Sequence, residues 1–247
     1  ISLFANAQSI EVNGLQSGVW AADTVVVTGD VTVQDSLIIS AGTTVLFDGF
    51  YHIEAKKNAF IKAMGTESDS IVFTVADTTK FHVFNHDGGL DDIRLAKAEA
   101  SRFDYCRFQY GKAALDNDQD RGALRIVECD NVEITHSTLF CNFAREHGGA
   151  LSAVDSKLVM HDCDVYNNLT YTEIDTVYFM YGGAMHFLKC EVELVDMNFR
   201  YNSGATAIGG ALSLDSCAVK IDQQEPEAVN FYVKAEHNEN ESESAKQ

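Results

Sequence analysis

A glycine-led motif returns along this chain at a nearly fixed interval, and that periodicity limits the fold more than any other feature. The four registers are Arg121-Gly122-Ala123-Leu124, Gly148-Gly149-Ala150-Leu151, Gly182-Gly183-Ala184-Met185 and Gly209-Gly210-Ala211-Leu212, spaced by 27, 34 and 27 residues. A second signature keeps step with it: Leu139-x-x-Asn142, Val165-x-x-Asn168 and Phe199-x-x-Asn202, with a degenerate Phe108-x-x-Gly111 before them. Self-similarity at this period marks a solenoid, in which each unit buries its apolar side only against its neighbours.

The runs between the signatures are short and alternating, as in Ala123-Leu-Arg-Ile-Val127, Val132-Glu-Ile-Thr135 and Val192-Glu-Leu-Val195. Period-two alternation over four to six residues is a strand pattern, and no stretch carries a helical repeat. The units therefore read as coils of an all-β parallel β-helix, about three short strands per turn with coils about 4.8 Å apart. Glycine ahead of the first strand permits a positive φ and close approach of stacked backbones. Asn142, Asn168 and Asn202 fall at one corner, where amide side chains can bond up and down the stack. Leu124, Leu151, Met185 and Leu212 form an inward column.

The six cysteines obey the same grid. Cys129, Ser156, Cys190 and Cys217 share one column, and Cys106, Ser137, Cys163 and Met197 another. Positions that exchange Cys with Ser and Met read as small buried packing sites with free thiols, because adjacent parallel rungs suit disulfide geometry poorly.

The N-terminal half, "TVVVTGDVTVQDSLIISAGTTVLFDG" and "YHIEAKKNAFIKAMGTESDSIVFTV", reads as strand after strand broken by Gly-Asp, Ala-Gly-Thr and Gly-Thr-Glu-Ser. With no linker between the halves, one domain over 8–221 is expected. At roughly 25 residues per coil it holds eight or nine coils. Residues 222–247 turn polar and acidic, ending in "HNENESESAKQ", and read as a cap and a disordered tail. Residues 1–7 close on Ala5-Asn6-Ala7, a small-x-small pattern like the end of a secretory signal, so an exported chain starting near Gln8 is expected; an ordinary terminus is the alternative.

Thirty-seven acidic against 18 basic residues give a net charge of −19, which argues against nucleic-acid binding, since phosphate contact needs a clustered positive face. No apolar run reaches the roughly 18 residues of a membrane span.

The GGA-hydrophobic motif paired with Phe-x-x-Asn resembles the repeats of the bacterial polymorphic outer-membrane protein family over residues 101–221. The opening "SGVWAADTVVVTGDVTVQDSLIISAGTTVLF", with "GTESDSIVFT", looks like the entry coils of secreted bacterial right-handed β-helix proteins. The resemblance implies a right-handed, pectate-lyase-like coil, display on the outer cell surface of a bacterium, and adhesion.

Binding by a solenoid is expected where the coil is interrupted. Two insertions leave one corner: "KAALDNDQD" after Gly111 and "LTYTEIDTVYFMY" after Asn168, with the short "FAREH" between them. Asp116, Asp118 and Asp120 alternate as in an oxygen-ligand calcium loop, although Gly122 comes one position late and Glu128 one position past the usual bidentate ligand. A solvated acidic turn is the alternative. Tyr171, Tyr178, Phe179 and Tyr181, with Glu146, His147, Glu173 and Asp175, form the candidate binding edge, since amphipathic rings suit recognition of a glycan or protein. The alternative is rings folded back onto the coil.

Catalysis has less support. The outward position after the glycine motif holds Arg125, Ser152, His186 and Ser213, which is no catalytic set. Asp87, Asp91 and Asp92 surround a Gly-Gly turn and read as turn formers. His147, His161 and His186 are assigned to different coil faces without metal-ligand spacing. The leading expectation is a non-catalytic adhesin or interaction module. The alternatives are a calcium-assisted polysaccharide lyase or glycoside hydrolase, and a spacer within a larger surface protein. Paired acidic and basic groups on one outward sheet would favour the enzyme, and a flat polar sheet beside an aromatic edge would favour binding.

Overall fold

The computed structural model describes residues 8–81, 88–98, 100–113, 122–171, 180–204, 207–208 and 210–222. Almost every ordered element is a short parallel strand, and the pairings join strands one coil apart into a parallel β-helix. Three faces recur. The first carries Thr44–Phe47, Ile71–Val75, Cys106–Gln109, Thr138–Phe140, Asp164–Tyr166 and Asn198–Arg200. The second carries Ile53–Ala55, Ile93–Ala96, Leu124–Val127, Leu151–Val154, Met185–Leu188 and Leu212–Asp215. The third carries Phe60–Met64, Ser101–Asp104, Val132–Thr135, Lys157–His161, Glu191–Val195 and Ala218–Asp222. The long strands Ser9–Trp20 and Thr24–Ile39 each wrap all three faces, beginning on the first. Among the described residues no helix is long and apolar enough to cross a membrane.

Alternation sets which side faces inward. In Val132–Thr135 and Leu124–Val127 the first and third residues are buried and the others half-exposed, as the period-two pattern predicts. Leu124, Leu151, Met185 and Leu212 stack in register inside the second face. Inside the first face the aromatic rings also stack, with Phe73 and Phe108 5.0 Å apart and nearly parallel and Phe103 edge-on to both.

The asparagine ladder forms as expected. Asn142 Oδ1 accepts from Gly111 N–H, Asn168 Oδ1 from Asn142 N–H and Asn202 Oδ1 from Asn168 N–H, at 2.8, 3.1 and 3.1 Å. Each amide nitrogen reaches back to a carbonyl of the rung before, Phe108, Leu139 and Val165 in turn. The glycine motif does both jobs expected of it. Gly148 and Gly182 hold positive φ, and a Cβ on Gly149 would stand 2.6 Å from the Gly183 carbonyl oxygen.

The corners also turn by a device that the repeat alignment does not reveal. Each bends on one non-glycine residue in the left-handed region: Tyr110, Cys141, Asn167 and Tyr201 between the first and second faces; Lys97, Glu128, Asp155, Lys189 and Ser216 between the second and third; Tyr105, His136, Asp162 and Asp196 between the third and first. Where a serine follows the corner residue it accepts from the backbone of a neighbouring rung, as Ser137 Oγ does from Cys106 N–H and Ser156 Oγ from Cys129 N–H, both at 3.0 Å. Cys217 Sγ plays the same part by accepting from Cys190 N–H at 3.3 Å, whereas Cys106, Cys129, Cys163 and Cys190 donate their thiols to carbonyl oxygens. A small acceptor closes the backbone hydrogen bond that the turn would otherwise leave open.

All six cysteines are free. Burial holds the thiols of Cys106 and Cys129 above their ordinary range and pushes that of Cys163 up to about 12. Cys217 is the exception: interaction with the Cys190 thiol, with Cys190 N–H donating to the Cys217 sulfur at 3.3 Å, lowers it, while Cys190 is raised. Iodoacetamide at pH 7.5 is therefore expected to label Cys217 first, because the thiolate is the nucleophile. Peptide mapping checks this, and a Cys217→Ser chain should label roughly tenfold more slowly overall.

Candidate functional site

The expected binding edge sits at the corner between the first and second faces. Of its residues, Asp116, Asp118, Asp120, Glu173, Asp175, Tyr178 and Phe179 lie outside the described residues, and with them the calcium loop. Glu146, His147, Tyr171 and Tyr181 are described and half-buried.

The structure brings three of these four together. Tyr181 N–H donates both to Glu146 O at 3.1 Å and to His147 Nδ1 at 3.2 Å, so "FAREH" docks on the strand Met180–Tyr181 one coil further on. An accepting Nδ1 leaves the His147 ring proton on Nε2. Tyr171 joins through its backbone, its N–H donating to Ala144 O at 3.1 Å. The His147 ring lies 5.1 Å from Tyr181 and 4.8 Å from His186, and Tyr181 stacks on His186 at 5.5 Å. His147 and His186, assigned to different faces from the sequence, are thus ring neighbours: the corner folds over the second face. Ser152, His186 and Ser213 point outward from the coil yet are buried.

Beside this corner the first face carries an aromatic strip that the motifs do not announce. Leu139 and Val165 point in, so Phe140 and Tyr166, one residue further along, point out. Their rings stack at 5.1 Å and 12°, and the Arg200 guanidinium lies over Tyr166 at 5.0 Å. Polar groups run alongside: Asp164 accepts from Asn198 Nδ2 at 2.8 Å and faces Arg200 at 3.3 Å. A signal is present in the sequence, because Phe140 and Tyr166 share one repeat position. It is masked because the inward residue of the same motif carries the repeat.

A charged cluster occupies the second face several rungs earlier. Asp91 and Asp92, turn formers by their sequence, are buried, and Asp92 is fully so. Arg94 Nε and Nη2 donate to the two Asp92 oxygens, each at 3.2 Å. The Arg94 guanidinium also stands 3.8 Å from Asp91 and 3.9 Å from Glu54. His52 Nδ1 lies 3.5 Å from Asp91 and 3.3 Å from Asp30. The Asp91 hydrogen bond raises the His52 pKa, against the effect of burial and helped by Asp30. Burial opposes the charge on Arg94 as well, but Asp92, Asp91 and Glu54 together hold its pKa above the usual value. The cluster is an ion-pair network, which Lys56 joins at 2.9 Å from Glu54. On the third face the same habit continues in exposed pairs, Lys157–Glu191 and Lys220–Glu193, which flank a shallow groove of about 430 Å³.

Comparison with models of protein families, with curated proteins and with solved structures finds no match for this chain.

Proposed function

We propose that the chain is a non-catalytic binding module of a bacterial cell surface, an adhesin that takes a neutral glycan along the corner between the first and second faces. The observation that carries this reading is the outward Phe140–Tyr166 stack under Arg200, bordered by Asp164 and Asn198. Flat rings with hydrogen-bonding side chains beside them match a sugar's apolar face and its hydroxyl rim. A chain of net charge −19 repels acidic polysaccharides, which favours an uncharged ligand.

A glycan array and then titration with its best neutral hit test this. Phe140→Ala and Tyr166→Ala are each expected to weaken binding about tenfold, the loss of one stacking contact, with little change in melting temperature. Absence of any neutral-glycan binding, or undiminished binding by both variants, would overturn the proposal.

A second reading, a polysaccharide lyase or glycoside hydrolase, draws on the His52–Glu54–Asp91–Asp92–Arg94 cluster, which sets acids and bases together on one outward sheet. Its stability signature separates it from a structural network.

A further inference from the structure

We infer that His136, His161 and Asp162 form a surface site for one divalent transition-metal ion of the zinc class, at the corner between the third and first faces. This site is separate from the proposed glycan surface.

The corner geometry builds it. Tyr105, His136, Asp162 and Asp196 are successive left-handed corner residues, with φ of 49°, 45°, 51° and 48°. Each is preceded by the last outward residue of a third-face strand: Asp104, Thr135, His161 and Val195 stand in register there. Two adjacent columns of side chains therefore leave the coil at the same edge, one rung apart. His136 from one rung meets His161 and Asp162 from the next, and one ligand atom from each lies within 4.8 Å of the others.

Both imidazoles are already oriented as a metal ligand requires. The His136 ring is stacked on Tyr105 at 4.6 Å and 8°, and its Nδ1 is held by Asp104 Oδ1 at 2.8 Å. Asp104 is fixed in turn by Thr135 Oγ1 at 2.7 Å. With the proton on Nδ1, the lone pair of Nε2 faces Asp162 Oδ2, 3.6 Å away. His161 mirrors this arrangement: Nδ1 is 2.9 Å from Asp162 Oδ2, and Nε2 looks towards Asp196 at 4.0 Å. Each histidine thus has one nitrogen turned to the shared point and the other to a carboxylate behind it, the outer pairing usual for metal-bound imidazole.

The chemistry of the set favours zinc-class ions over calcium. Two imidazole nitrogens and one carboxylate are borderline donors, whereas calcium takes oxygen donors. At bond lengths of about 2.0–2.1 Å, tetrahedral ligands stand about 3.3 Å apart. The 2.9 and 3.6 Å separations bracket that value, and the half-exposed side chains have room to close the remaining one. Three carboxylates, Asp104, Asp162 and Asp196, surround the two rings, so a dication also relieves local negative charge. Three protein ligands leave a position for water or an outside donor.

In the sequence His161 has no second histidine within a few residues. In a solenoid the relevant spacing is one coil, and His136 lies 25 residues before it.

The test uses the full chain, stripped with chelator and kept reduced, titrated calorimetrically with Zn²⁺. Wild type is expected to bind one ion at micromolar affinity, unaffected by millimolar Ca²⁺. His136→Asn, chosen because asparagine tolerates the left-handed backbone, and His161→Gln should each lose at least tenfold. Asp104→Asn should keep the stoichiometry and weaken binding about tenfold, through the His136 ring alone. Melting curves in chelator establish that each variant is folded, and His161→Gln with Asp162→Asn decides the matter if His136→Asn is not. The visible spectrum with Co²⁺ should lack thiolate charge-transfer bands. Saturable binding that survives both histidine variants, thiolate bands, or no binding below millimolar Zn²⁺ would each overturn the inference.

Discussion

Asn168→Ala is expected to lower the unfolding free energy by about 4 kcal/mol, more than any exposed substitution on the coil. The buried Asn168 amide satisfies four neighbours at once. Its Oδ1 accepts from Asn142 N–H and Nδ2 at 3.1 and 3.0 Å, and its Nδ2 donates to Leu139 O and Asn202 Oδ1 at 2.9 and 3.0 Å. Alanine takes the acceptor from Asn142 N–H and the side-chain donor from Leu139 O, and leaves Asn142 Nδ2 and Asn202 Oδ1 with one bond each, to Phe108 O and from Asn168 N–H; each buried unsatisfied group costs about 1–3 kcal/mol before relaxation. Asn168→Asp fares no better at neutral pH, since a carboxylate cannot donate to the Leu139 and Asn202 oxygens. The lesion has a location as well as a size. In a stack where each coil touches only its neighbours, damage at one rung uncouples the coils beyond it. Native-state hydrogen exchange should show amides of 138–222 exchanging faster while those of 24–75 keep their protection. A uniform change along the chain, or a loss below about 1 kcal/mol, would mean that the ladder is ornamental.

The sequence reveals repetition well and juxtaposition poorly. Inward columns such as Leu124–Leu151–Met185–Leu212 and the Asn142–Asn168–Asn202 ladder recur in type as well as position, so alignment of the repeats finds them. The corner residues recur only in conformation. Tyr105, His136, Asp162 and Asp196 share a positive φ but comprise a phenol, an imidazole and two carboxylates, so a residue-type alignment finds no motif. Sites assembled across neighbouring rungs escape for a different reason: nothing within a single repeat shows which side chains meet across the coil. Phe140 over Tyr166 and His136 beside His161 each join positions one coil apart. Asp92 misleads in another way: next to a Gly-Gly turn, an aspartate reads as a turn former. Only the register of Arg94 beside Glu54 shows that it lies buried under a guanidinium.

That guanidinium supplies the prediction that separates the two functional readings. Arg94→Gln should destabilise the chain by about 3 kcal/mol, because removing one partner of a buried pair leaves its counter-charge uncompensated. Here the orphan is Asp92, fully buried, with Asp91 and Glu54 nearby to add repulsion. For a chain of this length the loss corresponds to a fall in melting temperature of roughly 6–12 °C. Arg94→Lys keeps the charge but not the two-pronged hydrogen bond, and should recover part of the fall. An arginine held ready for a substrate behaves otherwise. Active-site groups are kept at a cost to stability, so their removal leaves the fold unchanged or firmer. A melting temperature that holds or rises in Arg94→Gln would therefore move the cluster from scaffold to catalytic candidate, and reducing-sugar and unsaturated-product assays on neutral and acidic polysaccharides would then decide between hydrolase and lyase. A clear fall makes Arg94 the keystone of an ion-pair network and leaves the aromatic strip of the first face as the proposed binding surface.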